Sequence, residues 1–367
     1  MKIVHTEASC GWGGQEIRIL EESRGMIDRG HDVTLICPPE SRIFEEAPRR
    51  GVPVVALPIG KKRLKGAMAL RRWLQANPVD ILNTHSSTDT WLAAIACRTM
   101  NGAPPLVRTR HISAAIPDNV TTRWLYTRAT RHIVTTGESL RQQLIRDNGY
   151  PAAQITSVPT GIDPQRFQPG DKAAVCAALG LAVDARILGI VATLRSWKGH
   201  LFLLEAFAAL NAPAWQLVIV GEGPMRQPIE DKVDVLGLCG RVTLVGQQDK
   251  PEQWMRALDL FCLPSYANEG VPQAILQAML SQLPIVTTPV GAITEAVTQD
   301  VSALVVPPKD AAALAAALGK LMAEPELAAR LAVQARQDAL ARFSRESMLD
   351  KMEGIFRNVC NETRALG

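Results

Sequence analysis

Short apolar runs alternate with helix-length stretches along nearly the whole chain, and the alternation occurs twice. In the first series the candidate strands fall at 3–6, 33–37, 52–57, 80–85, 106–111 and 132–135, of which 80–85 and 106–111 carry polar residues. After the first run come Gly11-Trp-Gly-Gly14 and a helical stretch from Gln15 to about Arg29. Residues 158–170 are rich in Pro, Gly and Asp and form a seam, with the division expected at 163–170. A second series follows at 188–192, 216–220, 242–245, 258–263, 285–288 and 303–306. Strands of a parallel sheet are buried on both faces and read as continuous apolar runs, and helices between them cover those faces. The pattern predicts an α/β protein of two Rossmann-like, doubly wound parallel-sheet domains, 1–165 and 166–346. Ligands of such sheets bind at the carboxyl ends of the strands, and two such edges are expected to face one interdomain cleft.

The 367 residues suffice for two domains that each bury a core. Hydrophobic content of 47% beside 21% charged residues is ordinary for a globular protein. The seven cysteines lack C-x-x-C spacing and read as buried thiols of a reducing compartment. The opening Met1–Glu7 turns polar too soon for a signal peptide, and no run approaches the roughly 20 apolar residues of a membrane span. A cytoplasmic protein is expected. Residues 1–167 carry 22 Lys and Arg against 15 Asp and Glu, whereas the remainder carries 18 against 21. The first half is therefore better suited to an acidic surface or substrate. The basic stretch 61–74 with Leu64, Met68, Trp73 and Leu74 reads as a surface helix with a solvated face, or as a contact with an anionic membrane or lipid-linked acceptor. No nucleic-acid partner is expected.

The richest local signal is Pro264-Ser-Tyr-Ala-Asn-Glu-Gly-Val-Pro-Gln-Ala-Ile-Leu-Gln-Ala-Met279, which follows the apolar run 258–263. Glu269, Gly270 and Val271 are expected in a loop, and Pro272 in the first helical turn, where its missing N–H costs nothing. Amides at that helix start suit anionic oxygens. Gln273 and Gln277 lie one turn apart on the polar side, opposite Ile275, Ala278 and Met279. A carboxylate, helix amides and side-chain amides around one spot suit a nucleotide sugar. Two cations three residues apart, Arg195 and Lys198, follow the second domain's first strand and are fit to grip a diphosphate.

This stretch resembles the Glu-x7-Glu motif of retaining GT-B glycosyltransferases, glycosyltransferase family 4, with Gln277 in place of the second Glu. Gln donates and accepts but lacks the charge that strengthens a bond to ribose hydroxyls. Gly13-Gly14-Gln15-Glu16 resembles the family's Gly-Gly-x-Glu motif, and Gly221-Glu222-Gly223-Pro224 its nucleotide-pocket loop. The resemblance implies a nucleoside-diphosphate-sugar donor held by Gly14, Arg195, Lys198, Gly221, Glu222, Gly246, Glu269, Gly270, Val271 and Gln277. It implies an acceptor near Gly13, Gly14, Glu16 and Arg110, and catalytic roles for His111, Glu269, Arg195 and Lys198; His85 is read as structural. Arg195 and Lys198 would stabilise the departing nucleoside diphosphate. No metal and no further cofactor is expected. A last helix, about 347–367, is expected to pack on the first domain; the apolar stripe Met348, Met352, Ile355, Phe356 and Val359 marks it. The expected activity is transfer to a hydroxyl of a glycan or lipid-linked glycan, as in bacterial lipopolysaccharide core or other cell-surface polysaccharide synthesis. A nucleotide-sugar epimerase of the same fold, an inverting transferase and a non-catalytic nucleotide-sugar-binding partner remain as alternatives.

Overall fold

The computed structural model describes residues 1–111, 116–267 and 269–366. The chain forms two units, Met1–Gly161 with Arg345–Gly367, and Ile162–Ser344. The strands of the first unit are β1 (Lys2–Thr6), β2 (Asp32–Cys37), β3 (Val54–Ala56), β4 (Ile81–Thr84), β5 (Leu106–Arg110), β6 (His132–Thr135) and β7 (Ile155–Ser157). Between them run α1 (Gly14–Asp28), α2 (Arg42–Arg49), α3 (Leu64–Ala76), α4 (Ser87–Arg98), α5 (Val120–Trp124) and α6 (Glu138–Asn148). Among the described residues the sheet is seven-stranded in the order β3-β2-β1-β4-β5-β6-β7, with every pairing parallel.

The second unit has α7 (Lys172–Leu179), β8 (Arg186–Val191), α8 (His200–Ala209), β9 (Trp215–Val220), α9 (Arg226–Val235), β10 (Val242–Gly246) and α10 (Pro251–Ala257). It continues through β11 (Leu260–Leu263), α11 (Gln273–Leu280), β12 (Ile285–Thr287), α12 (Ile293–Ala296), β13 (Leu304–Val305), α13 (Ala311–Ala323) and α14 (Pro325–Arg342). Its described sheet is six-stranded and parallel, in the order β10-β9-β8-β11-β12-β13. The last helix, α15 (Arg345–Leu366), belongs to the first unit.

Local chemistry sets several helix ends. Ser86 and Asp89 form a reciprocal capping box at the start of α4, and Asp171 accepts from the Ala174 amide at 3.1 Å to start α7. Gly149 and Gly180 close α6 and α7 in the left-handed conformation, at φ +62° and +71°. Pro272 departs from expectation. It precedes α11 with an extended backbone (φ −70°, ψ 128°), and its carbonyl accepts from Ile275, so its service is to start the helix from outside. The strand β7 was absent from the sequence reading. Cys10 and Cys239 are exposed, against the expectation of buried thiols.

One face of the first sheet is covered by α15, whose Met348, Leu349, Met352, Phe356 and Val359 are buried against Ile3, Val33, Ile81, Val107 and Val134. Each such side chain contributes about 1.5–3 kcal/mol when fully buried. Charges flank the seam: Glu353 meets Arg29 and His31 at 3.1 Å each, and Arg345 meets Asp28 at 3.1 Å. Strand order reverses between β1 and β4 in one unit and between β8 and β11 in the other. At such a point the flanking crossovers leave to opposite faces, and the carboxyl ends there are free to hold a ligand.

Candidate active site

At the switch point of the first unit, β1 ends in His5 and Thr6 and is followed by Glu7, all three of them buried. His5 Nδ1 lies 2.9 Å from His85 Nε2, and His85 Nδ1 lies 3.0 Å from His111 Nε2. Three imidazoles from the ends of adjacent strands thus form one hydrogen-bonded row. Burial pushes the His5 imidazole down to about 3 and holds His85 and His111 well below the usual histidine range, so the row is uncharged at neutral pH. Among the described residues no group of three His, Cys, Asp or Glu side chains is arranged to hold a metal ion.

Beside this row lies a buried carboxyl pair. Asp89 accepts from Thr6 Oγ1 at 2.8 Å and from the His85 amide at 2.9 Å. Glu7 accepts from the Ser9 amide at 2.7 Å and from the Gln15 side chain. Burial and the neighbouring Asp89 push the Glu7 carboxyl up to about 8, so it is largely protonated at neutral pH. Gly13 precedes α1 with an extended φ of −176°, a conformation open to any residue. A Cβ on Gly13 would stand 3.8 Å from Glu16 Oε2, and Glu16 itself is buried in the first turn of α1 while Gly14 is exposed. Arg110 is buried and donates to the Tyr126 hydroxyl at 3.1 Å; Arg108 stacks over the same ring at 4.4 Å.

The second unit places its charged residues at the carboxyl ends of β8 and β11. Lys198 Nζ donates to Glu269 Oε1 at 2.6 Å, and Ser265 Oγ donates to the same oxygen at 2.6 Å. Glu269 is only 5% exposed, so this ion pair is largely shielded from water. The Tyr266 amide donates to the Trp197 carbonyl at 2.8 Å, and the Thr288 hydroxyl donates to the Ser265 carbonyl. These bonds tie the β8 and β11 loops to each other and to the end of β12. Arg195 is exposed, with its guanidinium 5.8 Å from the Trp197 ring. His200 opens α8; burial and the neighbouring Lys198 push its imidazole down to about 4.

Two glycines are needed here. Gly221 has φ +143°, and a side chain on it would strike the Ala192 backbone. Gly291 has φ +61°, and a Cβ on it would overlap the Glu269 carbonyl. Gly221 donates to the Gly246 carbonyl at 2.9 Å, while the exposed Glu222 pairs with Arg226 at 2.8 Å. Gln277 is half-buried on α11, and Val271 turns its side chain into the core of this unit. Gly270, beside Glu269, is half-buried.

Within the first unit the expected residues Gly13, Gly14, Glu16 and His111 gather at one sheet edge, and within the second Lys198 and Glu269 are in contact. His5, Glu7, Asp89, Ser265 and Gly291 were not foreseen. Polar residues at the end of an otherwise apolar buried strand are the signal that could have flagged His5 and Glu7.

Residues 12–166 match the family model for Glycosyltransferase Family 4, and residues 185–324 match that for Glycosyl transferases group 1. A D-inositol 3-phosphate glycosyltransferase of Stackebrandtia nassauensis is 28% identical, over 94% of this chain and 86% of that protein. Among solved structures, Anabaena HepE in complex with UDP and glucose superposes with a TM-score of 0.84 at 21% identity, over 98% of this chain and all of that one. WaaG, a glycosyltransferase involved in lipopolysaccharide biosynthesis, superposes at 0.73 with 16% identity, over 96% and 99% of the two chains.

Proposed function

The chain belongs to glycosyltransferase family 4 and has the GT-B fold, and from that premise we propose that it transfers a sugar, with retention of anomeric configuration and without a metal, from a nucleoside diphosphate to a glycan hydroxyl. The observation that carries this reading is the Lys198–Glu269–Ser265 cluster beside Arg195, inside the segment matched to the group 1 model. Arg195 and Lys198 would meet the charge that grows on the leaving diphosphate as the glycosidic bond breaks, which is the contribution fixed cations make best. Glu269, held by two donors to one oxygen, keeps its other oxygen for sugar hydroxyls. Gln277, Gly221, Glu222, Gly246, Gly270 and the Val271 backbone would line the nucleotide. The first unit would receive the acceptor near Gly13, Gly14 and Glu16, with His111 meeting a substrate hydroxyl.

UDP and glucose in HepE support a uridine-type donor, and the likeness to WaaG supports an acceptor in cell-surface polysaccharide or lipopolysaccharide core. No described helix is long and apolar enough to cross a membrane. On α3, Leu64 and Met68 are exposed beside Lys61, Lys62 and Lys65, whereas Leu70 and Leu74 are buried. That face supports attachment to the inner, anionic surface of the cytoplasmic membrane. A thermal-shift screen of nucleoside-diphosphate sugars tests the central claim, because a ligand of the folded form raises its stability. A donor should raise the melting temperature of the wild type and not that of Arg195→Ala with Lys198→Ala. Equal stabilisation of both proteins refutes the phosphate-gripping role.

A further inference from the structure

The row of imidazoles has a direction, and Asn83 sets it. Asn83 stands on β4 beside His5 in the register of β1 and β4. Its Oδ1 accepts from Thr109 Oγ1 at 3.1 Å, which leaves its amide N–H groups facing Glu22 Oε1 and His5 Nδ1, both at 3.5 Å. The orientation is enforced by Glu22. Burial raises the Glu22 carboxyl to about 6 against the lowering pull of Arg18, 3.6 Å away, so at neutral pH it is mostly a carboxylate, which only accepts. A nitrogen that faces the Asn83 amide cannot carry a proton without placing two donors against each other. His5 Nδ1 is therefore the acceptor.

The consequence passes outward along the row. If His5 Nδ1 accepts, His85 Nε2 must donate to it, and a neutral His85 then has a bare Nδ1. His111 Nε2, 3.0 Å from that Nδ1, must be the next donor. A neutral His111 is left with a bare Nδ1, which has no partner among the described residues. The unpartnered His5 Nε2 at the inner end does not alter the direction, since it lacks a partner as donor or as acceptor.

We propose that His85 and His5, polarised by Asn83, act as positioning residues that hold His111 as a neutral imidazole protonated at Nε2, so that its Nδ1 accepts a hydrogen bond from a substrate hydroxyl. The inference rests on the reading of His111 as a residue that meets substrate. It assigns to this site a hydroxyl donor, and it excludes a cationic imidazole contact to phosphate. The structural role ascribed to His85 from sequence becomes an electronic one: the ring fixes which nitrogen of His111 carries the proton.

The test uses the full chain labelled with 15N at histidine and long-range proton–nitrogen spectra between pH 6 and 8. In the wild type, His5, His85 and His111 should each show a protonated Nε2 and an unprotonated Nδ1, without titration. His85→Phe should abolish that signature at His111, leaving a neutral ring that populates both tautomers, still without titration in this range because burial persists. His85→Gln should restore it, because an amide carbonyl accepts from His111 while its N–H donates to His5. Protonation at Nδ1 of His111 in the wild type overturns the proposal, as does a His111 spectrum unchanged in His85→Phe. If His85→Phe fails to fold by circular dichroism, the wild-type and His85→Gln spectra decide alone. The use of Nδ1 is read separately with the donor found by thermal shift. A His111→Ala protein with wild-type turnover overturns the substrate contact while the assignment of tautomers stands on its own spectra.

Discussion

Gly291→Ala is a direct probe of how the Glu269 loop is held. The structure provides its own control in the same unit. Gly291 and Gly180 have nearly the same backbone, φ +61° and +71°, but nothing lies within 4 Å of a Cβ on Gly180. Gly180→Ala therefore reports the left-handed strain alone, about 1–2 kcal/mol, reduced by about 0.4–1 kcal/mol because alanine also restricts the unfolded chain. At Gly291 the new methyl would overlap the Glu269 carbonyl oxygen and stand 2.8 Å from its carbon and 3.2 Å from the Glu269 Cβ. The methyl would lie 2.0 Å from that oxygen, where ordinary contacts are above about 3 Å, so Glu269 must move by about an ångström or more, with about 1–3 kcal/mol of overpacking. Gly291→Ala should thus cost about 2–4 kcal/mol and Gly180→Ala about 1 kcal/mol in urea unfolding, with equal m-values. A shift of this size at a substrate-orienting carboxylate should cost about 10²-fold in turnover, against no comparable loss in Gly180→Ala. Equal stability losses in the two variants, or an active Gly291→Ala enzyme, would show that the Glu269 loop is not braced at this point.

Arg195→Ala and Lys198→Ala should each lower turnover by about 10²–10³-fold, the scale of losing one preorganised donor to a developing charge; wild-type kinetics in either refute its role. Gln277→Glu should tighten nucleotide binding in calorimetry if the side chain meets the ribose, since a charged acceptor makes the stronger bond; unchanged affinity places it elsewhere. Bonds from Arg357, opposed by burial and joined by those from His31 and Arg29, lower the Glu353 carboxyl to about 2. Its stabilisation is complete above the unfolded value of about 4.5 and is lost as pH falls towards 2, so Glu353→Gln should flatten the acid limb of a stability–pH curve. Glu7 has the opposite sign. The folded form keeps its proton up to about 8, so stability should decline as pH rises from about 4.5 to 8, and Glu7→Gln should remove that decline.

The fold was legible because its chemistry is repetitive. Strands buried on both faces, such as β11 and the end of β9, leave continuous apolar runs. The α15 stripe was readable from its spacing, down to Met352 and Phe356, which are fully buried. Short strands were not. Ile155–Ser157 has a single buried residue in three, so nothing in its composition separates it from a loop; it is a strand because β6 offers it an edge. Pro272 misled for a related reason. A proline that opens a helix is compatible with the first helical position and with the residue before it, and only ψ distinguishes the two.

The site was half legible, and the division follows topology. Lys198 and Glu269 could be read because each sits within a few residues of an apolar run's end, where a parallel sheet exposes its ligand-binding edge. The imidazole row could not be assembled that way. Its members are 80 and 26 residues apart, and they meet because the sheet order sets β1 beside β4 and β4 beside β5. An order that placed another strand between β1 and β4 would add about 4.8 Å between His5 and His85 and break the row. Apolar patterning identifies strands but not their neighbours, so a side chain whose role depends on an adjacent strand is visible only as an anomaly: a histidine and a glutamate closing a strand that has no surface to give them. That anomaly carries information because a buried polar group without a partner costs about 1–3 kcal/mol, which a fold retains only where neighbouring groups satisfy it or function requires it.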